Sequence, residues 1–79
     1  NNVLYLGARG ALYTDMGLPN EAVEDLTRAI GLDPKAANLF YYRSYNYYQL
    51  GNKTKAISDA EISQKLGYSI PSLYLEGLK

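Results

Sequence analysis

The sequence has no cysteine and no histidine, and each absence removes a class of chemistry. A chain without cysteine forms no disulfide, no thiolate nucleophile and no sulfur-ligated metal site. Histidine is the usual general base and the commonest transition-metal ligand, so both roles lose their usual side chain. We therefore expect these 79 residues to be no enzyme and to hold no metal and no cofactor.

The chain also lacks net charge and long apolar runs. Its eight Lys and Arg balance eight Asp and Glu, and the lysines form no basic stripe of the kind that binds nucleic acid. No run approaches the roughly 18 apolar residues of a membrane span, and no signal-peptide pattern opens the sequence. We expect no nucleic-acid partner, no membrane insertion and a cytoplasmic location, although the absence of cysteine also fits a secreted repeat protein.

Tyrosine is abundant: nine Tyr stand beside one Phe and no Trp, in a chain that is 47% hydrophobic. A chain of this length makes one small domain, which buries roughly 60–65% of the surface that it exposes when unfolded. Such a chain can form a hydrophobic core, but we expect its stability to be marginal.

An internal repeat organises the chain. A shift of 34 residues aligns identical residues with one another: Arg9 with Arg43, Tyr13 with Tyr47, Gly17 with Gly51, Ala22 with Ala56, Asp25 with Asp59, and Leu32 with Leu66. This period is that of a helix–turn–helix unit. Packing of the second helix on the first would bring each Arg near an Asp, within a repeat or across to the next. We expect a partly buried structural ion pair rather than a ligand-binding arginine.

Glycine and proline mark the ends of five expected helices. Three glycines suit left-handed C-caps: Gly17, Gly51 and Gly67. Pro19 suits the first residue of the second helix, and Asp33-Pro34 is typical of an N-cap followed by the first helical residue. These signals place the third helix at about 35–50 and the fourth at about 53–66. A fifth helix is expected to open at 69–71, with an apolar face of Leu73, Tyr74 and Leu78.

The repeat resembles that of the tetratricopeptide repeat family, which places large apolar, small, tyrosine, glycine and alanine residues at fixed positions and ends in proline. The first repeat supplies Leu6, Gly10, Tyr13, Gly17, Ala22, Leu26, Ala29 and Pro34. The second supplies Phe40, Ser44, Tyr47, Gly51, Ala56, Ala60 and Ser63, with Tyr68 where proline is usual. The resemblance implies an all-α, right-handed solenoid of antiparallel helix–turn–helix hairpins, with about two and a half repeats in five helices.

We expect a single domain over residues 1–79, with repeats at 3–34 and 35–68 and a partial repeat or capping helix at 69–79. In this register Asn1-Asn2 occupy the last two positions of a preceding repeat. The chain is therefore expected to be an excerpt or a terminal part of a longer array, with a complete protein of two and a half repeats as the alternative.

The resemblance also implies a function in protein–protein interaction, because the first helices of successive repeats line a concave groove that binds peptides. On the third helix Tyr41, Tyr45 and Tyr48 form one narrow stripe, flanked by Asn38 and Gln49. The first repeat contributes Leu4, Gly7, Ala11, Thr14 and Asp15 to the same face. In an alternative arrangement the tyrosines pack on the fifth helix or on a further repeat.

A second function stays open, in which the repeats are a purely structural spacer or a segment that self-associates through exposed solenoid ends. A third is regulation of an enzyme domain elsewhere in a longer protein. Some relatives bind the acidic tails of heat-shock chaperones through Lys and Asn at two groove positions. Here Gly7 and Ala11 occupy them in the first repeat, and Tyr41 and Tyr45 in the second. We therefore expect a largely uncharged or mildly basic peptide partner.

Overall fold

A computed structural model describes residues 2–78 as five α-helices, with no strand in that range. The helices are α1 (Asn2–Asp15), α2 (Pro19–Leu32), α3 (Ala37–Gln49), α4 (Lys53–Lys65) and α5 (Ser72–Leu78). Asn1 and Lys79 lie outside the described residues. The expected place of Asn1 at the end of a preceding repeat therefore lies outside them as well. Consecutive helices pack side by side in an all-α solenoid of helical hairpins, as the sequence predicts. None of the helices in this range is both long and apolar enough to cross a membrane.

The glycines predicted to end three helices have the expected left-handed backbone. The φ angles are 74° at Gly17, 81° at Gly51 and 99° at Gly67. At the first of these turns, the Leu18 N–H donates to the carbonyl of Tyr13 at 2.9 Å. These turns reverse the chain within a few residues and hold the two helices of each hairpin together.

The expected start of the third helix is wrong. The α3 helix begins at Ala37, and Asp33 belongs to the end of α2, where its N–H donates to the carbonyl of Ala29 at 2.9 Å. The Asp33 carboxylate accepts a hydrogen bond from the Lys35 N–H at 3.3 Å, which closes a local turn. The Asp-Pro pair therefore forms the connection between repeats rather than an N-cap.

The fifth helix begins at Ser72, and the expected apolar face is partly wrong. Leu73 is 83% exposed, whereas Leu78 is buried and Tyr74 and Leu75 are half-buried against the second core cluster. With 3.6 residues in a helical turn, positions 74, 75 and 78 share one face, and 73 lies outside it. The side chains of α5 that hold the helix in place are thus Tyr74, Leu75 and Leu78.

The first core cluster lies between α1, α2 and α3. Gly10 of α1 is buried, and a Cβ atom at this position would lie 2.8 Å from two carbon atoms of Leu26. Ala22 and Ala29 are fully buried on the same helix as Leu26. Small residues therefore bring the two helices of the first hairpin close together, as the sequence predicts.

The second core cluster packs α3, α4 and α5 around Ala56, Ala60, Ile70 and Leu78. The hydroxyl group of Ser44 donates to the carbonyl of Ala56 at 2.6 Å, and that of Ser63 donates to the carbonyl of Ala37 at 2.8 Å. Both small side chains are fully buried, so they combine close helix packing with a satisfied hydrogen bond. Tyr68, which replaces the usual proline, stacks on Tyr41 with 5.2 Å between ring centroids.

Each repeat contains one of the two predicted ion pairs. Arg9 contacts Asp25 through Nε–Oδ2 at 2.6 Å and Nη2–Oδ1 at 2.9 Å. Arg43 contacts Asp59 through the same atoms at 2.8 and 2.9 Å. Both carboxylates are buried, and each pair joins the first helix of a hairpin to the second. The arginines therefore have the structural role that the sequence predicts.

Candidate functional site

Three hollows lie in a row along the face where α1 and α3 run side by side. The first, about 380 Å³, lies at the N-terminal half of α1 and includes Leu4, Ala11, Asn38 and Asp33 in its lining. The second, about 350 Å³, is lined by Thr14, Asp15, Tyr41, Tyr42 and Tyr45. The third, about 210 Å³, lies at the C-terminal ends of the two helices and is lined by Thr14, Gly17, Pro19, Tyr45, Asn46 and Gln49.

The hollows share walls, so they form one continuous surface. Tyr42 lines both the first and the second, and Thr14 and Tyr45 line both the second and the third. Nine of the ten residues that the sequence analysis places on this face lie in the lining: Leu4, Gly7, Ala11, Thr14, Asp15, Asn38, Tyr41, Tyr45 and Gln49. Tyr48 does not line it and instead contacts α5, with its ring centroid 6.1 Å from that of Tyr74. We call this surface the α1–α3 groove.

The fifth helix covers part of the tyrosine stripe. The Tyr74 ring lies 5.5 Å from that of Tyr41 in an edge-to-face contact and 6.2 Å from that of Tyr45. Tyr41 is half-buried between Tyr68 and Tyr74, whereas Tyr45 and Tyr48 keep 36% and 38% of their surface exposed. The alternative in which the stripe packs on the fifth helix therefore holds for Tyr41, while Tyr45 still presents its ring to solvent.

Burial also affects the chemistry of these phenols. Loss of solvent raises the pKa of Tyr41 above its ordinary value, and the neighbouring phenols of Tyr68 and Tyr45 act in the same direction. Burial likewise raises the pKa of Tyr74, whose hydroxyl oxygen lies 2.8 Å from that of Ser44. At neutral pH both side chains are therefore neutral phenols, with an apolar ring and a polar tip.

Asn46 is a residue of this site that sequence reasoning missed. The residue is only 1% exposed, and its Nδ2 atom donates to Thr14 Oγ1 and to the Tyr42 carbonyl, both at 2.8 Å. The first of these bonds joins α3 to α1 across the floor of the groove. The signal for it in the sequence is its position between Tyr45 and Tyr47. Helical spacing places Asn46 on a third face of α3, between the face of the tyrosine stripe and the face that packs on α4.

The lining of the groove carries acidic groups and no cation. Asp33 lies in the first hollow and Asp15 in the second, and no Lys or Arg lines any of the three. The arginines of residues 2–78 make ion pairs elsewhere: Arg9 with Asp25, Arg43 with Asp59, and Arg28 with Glu24. No three acidic side chains in the described range come together as a set of metal ligands. The groove thus offers rings, amides and separate carboxylates.

Comparison with known proteins assigns the repeat. The family model of the tetratricopeptide repeat matches residues 4–36, which cover most of α1, all of α2 and the turn that follows them. No curated protein matches the chain significantly. Tetratricopeptide repeats are non-catalytic modules that generally mediate protein–protein interaction. The second hairpin repeats the Arg–Asp pair, the glycine turn and the small packing residues of the matched one. Residues 4–36 therefore form a tetratricopeptide repeat, and the second hairpin has the same structural features.

Proposed function

We propose that the α1–α3 groove binds an extended peptide segment of a partner protein. The observation that supports this most directly is the row of three hollows with shared walls. A peptide in extended conformation advances about 3.3 Å per residue, so its side chains can enter successive hollows along the two helices. Asn38 and Gln49, near the two ends of α3, place amides at both ends of the row to contact a peptide backbone.

The chemistry of the lining favours a partner segment that is uncharged or mildly basic. Tyr42 and Tyr45 offer wide apolar faces with a polar tip, which suit aliphatic and proline side chains. The carboxylates of Asp15 and Asp33 oppose an acidic segment by repulsion. The cytoplasmic location expected from the sequence belongs to the same proposal.

Peptide selection tests this proposal without knowledge of the partner. Random 12-residue peptides displayed on phage are selected on the chain, and the affinity of the best synthetic peptide is measured by fluorescence polarisation. We expect Tyr45→Ala to weaken binding about tenfold, because it removes an aromatic contact at the centre of the groove. Tyr5→Ala is the matched control, since Tyr5 is more exposed than Tyr45 and lines none of the three hollows.

A control variant that weakens binding as much as Tyr45→Ala would place the peptide elsewhere. Equal affinity of the unmodified chain and Tyr45→Ala would contradict the groove directly. Circular dichroism melts of both variants ensure that the comparison is made between folded proteins.

Self-association is a second candidate, because apolar side chains are exposed at both ends of the solenoid. Leu12 of α1 is exposed on the first hairpin. At the other end, Ile57, Leu75 and Leu78 line a hollow of about 280 Å³ between α4 and α5, and Ile57 is 38% exposed. Sedimentation velocity over a range of concentrations tests this: a rise in weight-average mass that Ile57→Ser reduces would support it, and a constant monomer mass would contradict it.

A further inference from the structure

We infer that the second hollow of the groove is a subsite for a cationic side chain, the guanidinium of an arginine or the ammonium of a lysine in the partner segment. This inference rests on the proposed function and specifies which chemistry the centre of the groove recognises. It follows from four features of the hollow: a carboxylate, the carbonyl end of α1, a set of aromatic rings and the absence of a competing cation.

The carboxylate is that of Asp15, an exposed side chain in the lining of the hollow. Among residues 2–78 no cation forms an ion pair with Asp15. The buried Asp25 of α2, by contrast, is bonded to Arg9. Asp15 is also the last residue of α1, where a negative charge opposes the helix macrodipole. A cation supplied by a ligand could pair with this exposed carboxylate and would offset its unfavourable charge at the helix end.

The carbonyl end of α1 adds to the negative potential. The α1 helix ends at Asp15, in the lining of the second hollow, whereas Gln49 at the end of α3 lies in the third hollow together with Pro19 at the start of α2. The carbonyl end of a helix carries about half a negative elementary charge and favours a nearby cation. Asp15 and the end of α1 therefore act in the same direction on a positive ligand.

The rings supply the walls that a cation prefers. Tyr41, Tyr42 and Tyr45 line the hollow, and the centroids of the first two lie 5.9 Å apart with their planes tilted by 49°. Ring faces attract guanidinium and ammonium groups through their quadrupole. The same chain already uses this contact in its structure, because Arg43 lies over Phe40 and Tyr47 and Arg9 lies over Tyr5 and Tyr13.

No internal cation competes for the hollow within the described residues. Arg9 and Arg43 are held on the opposite side of their helices by Asp25 and Asp59, and Lys55 lies over Tyr47. The ligand must therefore supply the positive charge. A flat guanidinium can contact the Asp15 carboxylate with two N–H groups while it stacks on a tyrosine ring.

Titration with two small probes tests the subsite apart from any peptide. The ¹⁵N-labelled chain is titrated with N-acetyl-arginine amide and with N-acetyl-citrulline amide, which has the same shape and no charge. We expect saturable shifts at the amides of Thr14, Asp15 and Tyr45, with arginine binding roughly five- to tenfold more tightly than citrulline. Added salt should reduce the difference, because the carboxylate is exposed.

Two variants with the same change in charge give the test its control. Asp15→Asn should abolish the preference for arginine, and Glu76→Gln, on the exposed side of α5, should leave it unchanged. Equal binding of the two probes, an unchanged preference in Asp15→Asn, or no saturable shift at these amides would each overturn the inference. If selected peptides still bind the groove in that case, the proposed function stands and only the cation subsite fails.

Discussion

Arg43 and Asp59 form a two-point ion pair, with Nε–Oδ2 and Nη2–Oδ1 distances of 2.8 and 2.9 Å. The arginine side chain is 17% exposed and the aspartate side chain 5%. The first hairpin contains the same pair between Arg9 and Asp25, across the same sixteen residues. Each repeat is thus joined by a planar, charge-assisted contact between its two helices.

The first prediction is that Arg43 and Asp59 are energetically coupled. A double-mutant cycle with Arg43→Ala and Asp59→Ala should give a coupling free energy of about 1–3 kcal/mol in urea denaturation, because a buried carboxylate loses its partner. Arg28 and Glu24 form the exposed control pair and should give about 0.3–0.5 kcal/mol. A coupling free energy for Arg43 and Asp59 no larger than that of the control pair would contradict this prediction, because the buried pair would then add no more stability than an exposed one.

The second prediction concerns acid. Hydrogen bonds from Arg9 hold the pKa of Asp25 below its ordinary value, although burial alone would raise it. The unfolded chain, with an Asp pKa of about 3.9, therefore takes up a proton before the folded chain does, so this stabilisation is present above that pH and is lost as pH falls through the folded-state pKa.

Asp25→Asn checks this by removing the titrating group. Chemical denaturation of the unmodified chain and the variant between pH 6 and pH 2 should give stabilities that differ at neutral pH and converge in acid. A difference that does not change with pH would mean that the Arg9 contact does not depress the pKa of Asp25.

The third prediction follows from the close packing at Gly10. Gly10→Ala should lower the free energy of unfolding by about 1–2 kcal/mol, since the new methyl group meets the buried Leu26 side chain and the better helix propensity of alanine offsets only part of the cost. Gly31→Ala is the matched control: a Cβ there meets nothing within 4 Å, and the variant should gain about 0.5–1 kcal/mol. The same sign for both substitutions in thermal melts would contradict this packing.

The fourth prediction concerns the buried bond between Asn46 and Thr14. Thr14→Val keeps the shape of the side chain but removes the acceptor, and it should cost about 1 kcal/mol. Thr54→Val, an exposed β-branched residue of α4, should change stability by less than about 0.5 kcal/mol. Urea midpoints for the two variants measure the difference, and equal values would remove Asn46 from the link between α1 and α3.

The sequence predicts most of the fold because its signals are local and consistent. Left-handed glycines at 17, 51 and 67 and the 34-residue repeat place the hairpins, and the repeated Arg and Asp place the ion pairs. Asp33-Pro34 misleads because an Asp before proline can close a turn as well as cap a helix, and the preceding α2 helix takes the Asp as its end.

The site is harder to predict than the fold, because it depends on contacts between distant residues. Helical spacing places Tyr41, Tyr45 and Tyr48 on one stripe, but only the position of Tyr74 shows that α5 covers one edge of it. Asn46 has no apolar pattern to mark it as buried, and its burial results from the approach of α1 some thirty residues earlier in the chain. Tertiary packing decides both features.

The fifth prediction is that an acidic peptide with a free C-terminal carboxylate does not bind. Next to Asp15 and Asp33 such a carboxylate would lose its hydration and gain no charge-assisted hydrogen bond in return. A hydrogen bond of that kind is worth about 1.5–3 kcal/mol where a cation donates it. Fluorescence polarisation at low salt gives the most favourable conditions for detection. Micromolar binding that weakens with added salt would contradict the charge assigned to the groove.

Localisation of a bound peptide tests most directly whether the α1–α3 groove is the binding surface. A peptide selected on the chain is labelled with a nitroxide and bound to the ¹⁵N-labelled protein, and the loss of each amide signal is measured by NMR. We predict the largest losses at Ala11, Thr14, Asn38 and Tyr45, with Ser58 on the α4 side unaffected. Losses centred on Ser58 and the rest of α4, with the α1 and α3 signals retained, would contradict the account.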